Sequence, residues 1–402
     1  FAKINAVRVM FNHNASNQAT IGWNQLSGDN PVVYYGTVDF KVAEFEKYPN
    51  QKTPSASNHF KGFHNHFVRL NQLRPNTGYY FVIVDSEGQS QRYWFKTTAN
   101  DPKQRLSIIG GGDSRTRRKQ RQWGFKMVGK LVPDAIMFDG DYTDIDTEER
   151  WKLWFEDWAL TYKDYDNRII PIITSRGNHE ITNKDLVNFF DCPAKNNAYS
   201  VQLGGTLLNV INLNTEISIA SQRSFLKRTL EQHQNFYWQI PQYHRACRPH
   251  IKWKLKHRIP KLIYKYWIPL LEKYGVRLVL ECDSHITKTT YPIKRQKNNK
   301  EDGGFVRDDA KGIVYVGEGC WGAPLRTPDV HWTWTKSKGK VDSFKWFWIS
   351  QTEIEVRTVI YTNVDSIQGL TENNRFTEPK GLKLWPGDGQ KEAIIKHINC
   401  PK

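Results

Sequence analysis

Short apolar runs divided by polar turns dominate the first hundred residues. Val7–Phe11, Thr20–Trp23, Pro31–Gly36, His66–Leu70, Tyr79–Val84 and Tyr93–Thr97 are strand-sized and rich in β-branched and aromatic side chains. Turn clusters such as His13–Gln18 and Leu73–Gly78 separate them. Short strands at near-regular spacing predict a β-sandwich over residues 1–100, ending at Ala99–Pro102.

Beyond that boundary, buried strand-like runs alternate with helix-like segments, the order expected of an α/β fold. Leu106–Gly110, Asp134–Phe138, Arg168–Thr174, Leu207–Leu213, Phe236–Ile240, Val276–Leu280 and Ile313–Gly317 read as strands, with Phe344–Ile349 and Glu353–Val359 as a closing set. Trp123–Leu131, Thr147–Tyr162, Ser221–Gln232 and Lys261–Tyr274 read as helices. Trp151, Trp154, Phe155 and Trp158 share one face of the second helix and fit a core stripe better than a binding platform. From about residue 363 the periodicity fades, and Pro, Gly and polar residues prevail through Pro386–Gly389. This stretch reads as a tail packed on the body with no fold of its own. The expected division is 1–100, 101–362 and 363–402.

The chain has 402 residues, of which 39% are apolar and 13% aromatic, enough for sizeable cores and against disorder. No run approaches the roughly 18 apolar residues that a membrane span needs. The formal net charge of +17 suits anionic partners: phosphate esters, nucleic acid, acidic glycans or anionic lipid. Basic residues concentrate in Arg115–Arg121, of which the run Arg117, Arg118, Lys119 and Arg121 reads as a solvated face, and in Arg245–Lys261, which also carries Trp253, His250 and His257. Five cysteines, Cys192, Cys247, Cys282, Cys320 and Cys400, include no C-x-x-C pair, so a zinc ribbon is not expected, while one or two disulfides stay open. The first residue is Phe1, which reads as the start of a processed or trimmed product.

The chemistry gathers where the strands end. Ser175–Glu180 follows an apolar run and places Asn178 and His179 on the turn past a strand, where open α/β sheets carry their active groups. Other strand ends carry Asp113, Asp141, His244 and the pair Asp283 and His285. Carboxylate, amide oxygen and imidazole suit Zn, Mn or Fe. A carboxylate between two such ions can bridge them, and ions about 3.5–4 Å apart clamp the oxygens of an in-line displacement.

With these motifs in this order, the chain resembles the calcineurin-like metallophosphatases and in particular the purple acid phosphatase branch. That family's motifs are Asp-x-Gly, Gly-Asp-x-x-Tyr, Gly-Asn-His-Asp/Glu, Val-x-x-His and Gly-His-x-His. The matching stretches are Gly112–Arg115, Gly140–Asp144, Gly177–Glu180, Pro241–His244 and Cys282–His285, and Thr289–Pro292 and Gly312–Gly319 also resemble family segments. Leu73–Phe81 resembles the Leu-x-Pro-x-Thr-x-Tyr pattern of a fibronectin type III module, which would stand in front as the family layout has it. The resemblance implies an N-terminal β-sandwich followed by a metallophosphatase β-sandwich with flanking helices. It implies hydrolysis of phosphate esters by a metal-activated hydroxide at a site holding two divalent or trivalent ions, Fe, Mn or Zn. Asp113 and His285 would bind the first ion, Asp141 would bridge, and Asn178, His244 and Asp283 would bind the second. His179 would act as general acid or transition-state stabiliser, and His250 would contact substrate. The layout also implies a secreted or periplasmic protein.

The departures from the pattern matter as much. Asp144 stands where the family has a tyrosinate, so the purple charge-transfer band should be absent, and Tyr142 is two positions early. Arg115 replaces the glycine of the first motif, where it would clamp a phosphate oxygen or disfavour a metal. Asp283 replaces a histidine, a harder ligand that shifts preference slightly toward Mn, Fe, Mg or Ca. Two rival readings stay open: a degenerate member that binds an anionic polymer or partner without turnover, and a phosphodiesterase or nuclease on nucleic acid.

Overall fold

The computed structural model describes residues 1–386 and 391–397; Gly387–Gly389 and Cys400 lie outside the described residues. Two large sheets pack face to face. The first is centred on three parallel strands, Leu106–Gly111, Ala135–Asp139 and Ile172–Ser175. Every residue of these strands is buried, which is why the sequence there is a continuous apolar run without alternation. Ser343–Ile349 and Glu353–Ile360 extend one edge antiparallel. The second sheet is built on the parallel strands Leu208–Asn212, Trp238–Arg245, Leu278–Cys282 and Val314–Gly317.

The N-terminal residues form strands as expected, in two sets. Val32–Gly36, Asn50–Lys52, Gly78–Asp85, Gly88–Gln89 and Tyr93–Lys96 make a separate five-stranded sheet. Ile4–Met10, Ala19–Gln25, Phe63–Leu70 and Ala56–Phe60 instead continue the first large sheet, with Met10 paired in parallel to Ile172. Arg8 locks this junction. It is fully buried, donates to the Phe189 and Ala6 carbonyls and to Asn65 Oδ1, and lies 4.9 Å from the centre of the Phe155 ring. The backbone acceptors satisfy a cation that burial would otherwise make costly.

Several elements differ from expectation. The first helix spans Arg118–Leu131 and takes in the basic run. Arg121 is buried against Asp157, Arg118 pairs with Asp157 and Glu156, and Arg117 pairs with Asp342. Arg117 and Arg121 are therefore drawn into internal ion pairs, whereas Arg118 and Lys119 stay exposed. The expected helix 261–274 is two helices, Arg258–Tyr266 and Ile268–Lys273, because Pro269 has no N–H to continue the ladder. The tail adds strands to the body: Lys383–Trp385 and Ala393–Lys396 both pair antiparallel with Glu353–Ile360. Cys192, Cys247, Cys282 and Cys320 are buried free thiols, so the disulfide option is not taken up among the described residues. No helix among them is long and apolar enough to cross a membrane.

The aromatic stripe is core. Trp151, Trp154, Phe155 and Trp158 are all buried on helix Glu148–Trp158. Trp154 stacks on Trp158 with centroids 5.5 Å apart, meets Phe125 and Phe138 edge-on, and donates Nε1–H to Ser114 Oγ at 3.0 Å. Trp154→Ala should therefore lower the unfolding free energy by about 3–5 kcal/mol, read from urea denaturation. A loss below about 1 kcal/mol would contradict this packing.

Candidate metal centre

The parallel strands of both sheets end at one edge, and there the chain turns sharply. Asp113, Asp141, Asp283 and His285 all take left-handed backbone angles, with φ of 57°, 55°, 76° and 57°. Few non-glycine residues adopt this region, and such strain collects where side chains must be aimed. The turns bring Asp113, Asp141 and His244 together, with one ligand atom of each within 4.8 Å of the others. All three are buried.

The surroundings hold these groups in place. Asp113 Oδ2 accepts the Asp283 N–H at 2.8 Å, and Asp141 Oδ1 accepts the His179 N–H at 2.8 Å. Gly319 lets Asp113 approach: a Cβ there would lie 1.6 Å from Asp113 Oδ2, and its φ is +73°. Gly177 does the same for Asp141, whose Oδ1 would be 2.3 Å from an added Cβ. Glu180 ties two loops together, accepting N–H groups from Gly177, Asp141 and Tyr142 at 2.8, 3.0 and 2.9 Å. Burial and the neighbouring Asp141 charge push the Glu180 carboxyl up to about 8.

The histidine tautomers follow from their acceptors, since a backbone carbonyl can only accept. His244 Nδ1 donates to the Asp139 carbonyl at 2.8 Å, His285 Nδ1 to the Pro324 carbonyl at 3.0 Å, and His179 Nδ1 to the Asp144 carbonyl at 2.6 Å. Each Nε2 is thereby directed at the carboxylates: His244 to Asp141 at 3.3 Å, His285 to Asp113 at 3.2 Å, His179 to Asp141 at 3.8 Å. Orienting a ligand imidazole through its other nitrogen is the usual supporting arrangement at metal sites. His244 Nε2, Asp113 Oδ1 and Asn178 Oδ1 are buried without a hydrogen-bond partner. Three such orphaned donor atoms at one edge fit a metal ion.

The charges make the same demand. Burial disfavours the ionised carboxylates, yet His244 holds Asp113 below its ordinary range, and His244 and His179 hold Asp141 lower still. Burial likewise opposes a charged His244, but Asp141 and Asp113 outweigh it and raise that imidazole well above its ordinary value. Asp139 differs: burial drives its carboxyl well above its ordinary value.

The remaining expected groups fall into three classes. Asp283 and His285 reach the centre but are engaged by cations, Asp283 Oδ1 by Lys254 Nζ at 2.6 Å and His285 Nε2 by Arg115 Nη1 at 3.1 Å. Asp144 turns away to Arg150 at 3.4 Å, and Tyr142 is buried among Phe138, Trp151 and Trp154. His250 is also buried, its Nδ1 3.3 Å from Glu318 and its Nε2 2.7 Å from Thr335 Oγ1, with no bond or ion pair to the cluster among the described residues. The polar partners use up both ring nitrogens, so the structure does not bring His250 to the site as a substrate contact. Lys254 and Arg326 were not anticipated. Arg326 donates its backbone N–H to the His285 carbonyl and Nη1 to the Asp283 carbonyl, and its guanidinium lies 5.3 Å from the ring centre of the half-exposed Trp253. Lys254 belongs to the second basic stretch, but nothing in that stretch singles it out.

Two family models match the sequence: the N-terminal domain of purple acid phosphatases over residues 4–97 and the calcineurin-like phosphoesterase domain over residues 109–286. No curated protein matches it. Among solved structures, a purple acid phosphatase, PPD1, from seeds of yellow lupin (Lupinus luteus) is similar with a TM-score of 0.74 and 14% identity, over 90% of this chain and 73% of that one. PhoD is similar with a TM-score of 0.64 and 9% identity, over 89% and 87%. GAP50, described as the anchor in the inner membrane complex of Plasmodium, has a TM-score of 0.50 and 14% identity, over 64% and 85%. At these identities the likeness is one of fold.

A protonated His244 and a metal compete for the same Nε2. Because Asp141 and Asp113 raise the affinity of His244 for its proton, metal binding should displace that proton and metal affinity should rise with pH, by up to about tenfold per unit. Calorimetric titration with Mn²⁺ in buffers of different ionisation enthalpy measures this. A pH-independent affinity with no proton release would contradict the assignment.

Proposed function

We propose that this chain, which belongs to the calcineurin-like metallophosphatase superfamily and carries the purple acid phosphatase N-terminal domain, hydrolyses phosphate esters at the Asp113, Asp141, Asn178 and His244 centre. The observation that carries this reading is that Asp113, Asp141 and His244 each place a ligand atom within 4.8 Å of the others, with Asp113 Oδ1 and His244 Nε2 buried and unpartnered and with Asn178 Oδ1, also unpartnered, on the turn whose Gly177 and His179 contact Asp141. A metal ion held there supplies a Lewis acid that activates water and draws charge off the phosphoryl oxygens.

The chain's own residues supply the rest. Asp141 and Asp113 hold the negative charge that fixes the cation, and Glu180 and His179 N–H keep Asp141 in position. His179 is one-quarter exposed, and its Nδ1 bond to Asp144 O leaves Nε2 facing the site to assist the leaving oxygen. Arg115 and Arg326 line the same edge with guanidinium groups suited to bidentate contact with phosphoryl oxygens. In this reading residues 1–100 buttress the sheet, 101–362 carry the chemistry, and the strands Lys383–Trp385 and Ala393–Lys396 of the 363–402 tail complete the sheet edge. The purple acid phosphatase-like layout also supports a secreted or periplasmic location.

Asp141→Asn and Asn178→Ala should each reduce hydrolysis of a chromogenic phosphate monoester by at least about 100-fold while the circular dichroism spectrum is retained. Near-full activity in both variants would contradict the assignment. Running the same assay on a chromogenic bis-ester and on single-stranded DNA separates monoesterase from diesterase and nuclease activity.

A further inference from the structure

We infer that this centre holds one metal ion and that Arg115 stands in for a second cation; the inference rests on the metal-dependent reading above. His285 Nε2 is the atom a first-position ion would need, and it already accepts a hydrogen bond from Arg115 Nη1 at 3.1 Å. The guanidinium stays charged under all ordinary conditions, so an ion on that nitrogen would have to displace it. The loop holding Arg115 resists displacement. Its carbonyl accepts Arg121 Nη1 at 2.6 Å, and Arg121 is buried in an ion pair with Asp157.

The other residues that could complete a first position are turned elsewhere. Asp144 faces Arg150, and Tyr142 lies in the aromatic core. The second position is more complete. Asn178 Oδ1 and His244 Nε2 are both unpartnered there, next to Asp141. Lys254 holds Asp283 Oδ1 at 2.6 Å, which offsets the charge introduced by that carboxylate. Asp113, Asp141 and Asp283 thus face Arg115, Lys254 and Arg326 before any metal is added. One divalent ion would leave the centre positive and suited to a phosphoryl anion, whereas two would double that uncompensated excess in a buried site. Arg115 Nε is itself buried without a partner, a donor left for a phosphoryl oxygen.

The test is metal stoichiometry by elemental analysis after loading with Mn²⁺ and desalting, together with electron paramagnetic resonance of the loaded wild type. The expected result is one equivalent, with the resolved hyperfine pattern of an isolated ion. Arg115→His, which exchanges the cation for a ligand, should raise the count to two and give an exchange-coupled spectrum. Arg115→Met should keep one equivalent and weaken inhibition by inorganic phosphate about tenfold. Two equivalents in the wild type, with a coupled spectrum, would overturn the inference and leave the phosphoesterase reading standing. No bound metal would overturn both. Unchanged phosphate inhibition in Arg115→Met would overturn the role given to Arg115.

Discussion

Three buried or nearly buried aspartates meet at the ends of strands from two sheets, and their charge must be compensated. Asp113, Asp141 and Asp283 cannot all stay ionised out of water without cations beside them. The fold answers with His244, His285 and His179 on one side and with Lys254, Arg115 and Arg326 on the other. The architecture around them can be read as what this concentration of charge requires: left-handed turns that aim the carboxylates, glycines that admit them, and backbone carbonyls that fix each imidazole. Within the cluster, Asp113 Oδ1 and His244 Nε2 are left without a hydrogen-bond partner.

Rigidity in the loops serves the same end. Glu180 accepts three backbone N–H groups from two different loops, so moving one loop moves the other. Behind them, Trp154 bonds Ser114 next to Asp113 and packs on Tyr142 next to Asp141. The aromatic core and the charged edge are thus joined through single residues. The N-terminal strands contribute from further off: Ile4–Met10 pairs beside Ile172–Ser175, the strand that leads to Asn178.

Much of this was legible in the sequence because buried parallel strands leave continuous apolar runs and the residues after them carry the chemistry. Strand ends and the order of the motifs singled out Asp113, Asp141, Asn178 and His244, and the structure brings Asp113, Asp141 and His244 within 4.8 Å of one another. What was not legible depends on contacts between distant segments. The stretch after His244 does deliver a side chain to the centre, but it is Lys254, while His250 is enclosed between Glu318 and Thr335. Proximity in sequence to a ligand favoured the wrong member of that stretch. The run Arg117–Arg121 looked like a solvated face throughout because the partners of Arg117 and Arg121, Asp342 and Asp157, lie far along the chain. The tail strands Lys383–Trp385 and Ala393–Lys396 are too short to show a period, and they exist because Glu353–Ile360 offers an open edge.

Crystals grown with Mn²⁺ would give the decisive observation, an anomalous difference map. A peak bounded by Asp141, Asn178 and His244, with Asp113 beside it, is expected. A map with no peak there, or with ions only on surface carboxylates, would contradict the account.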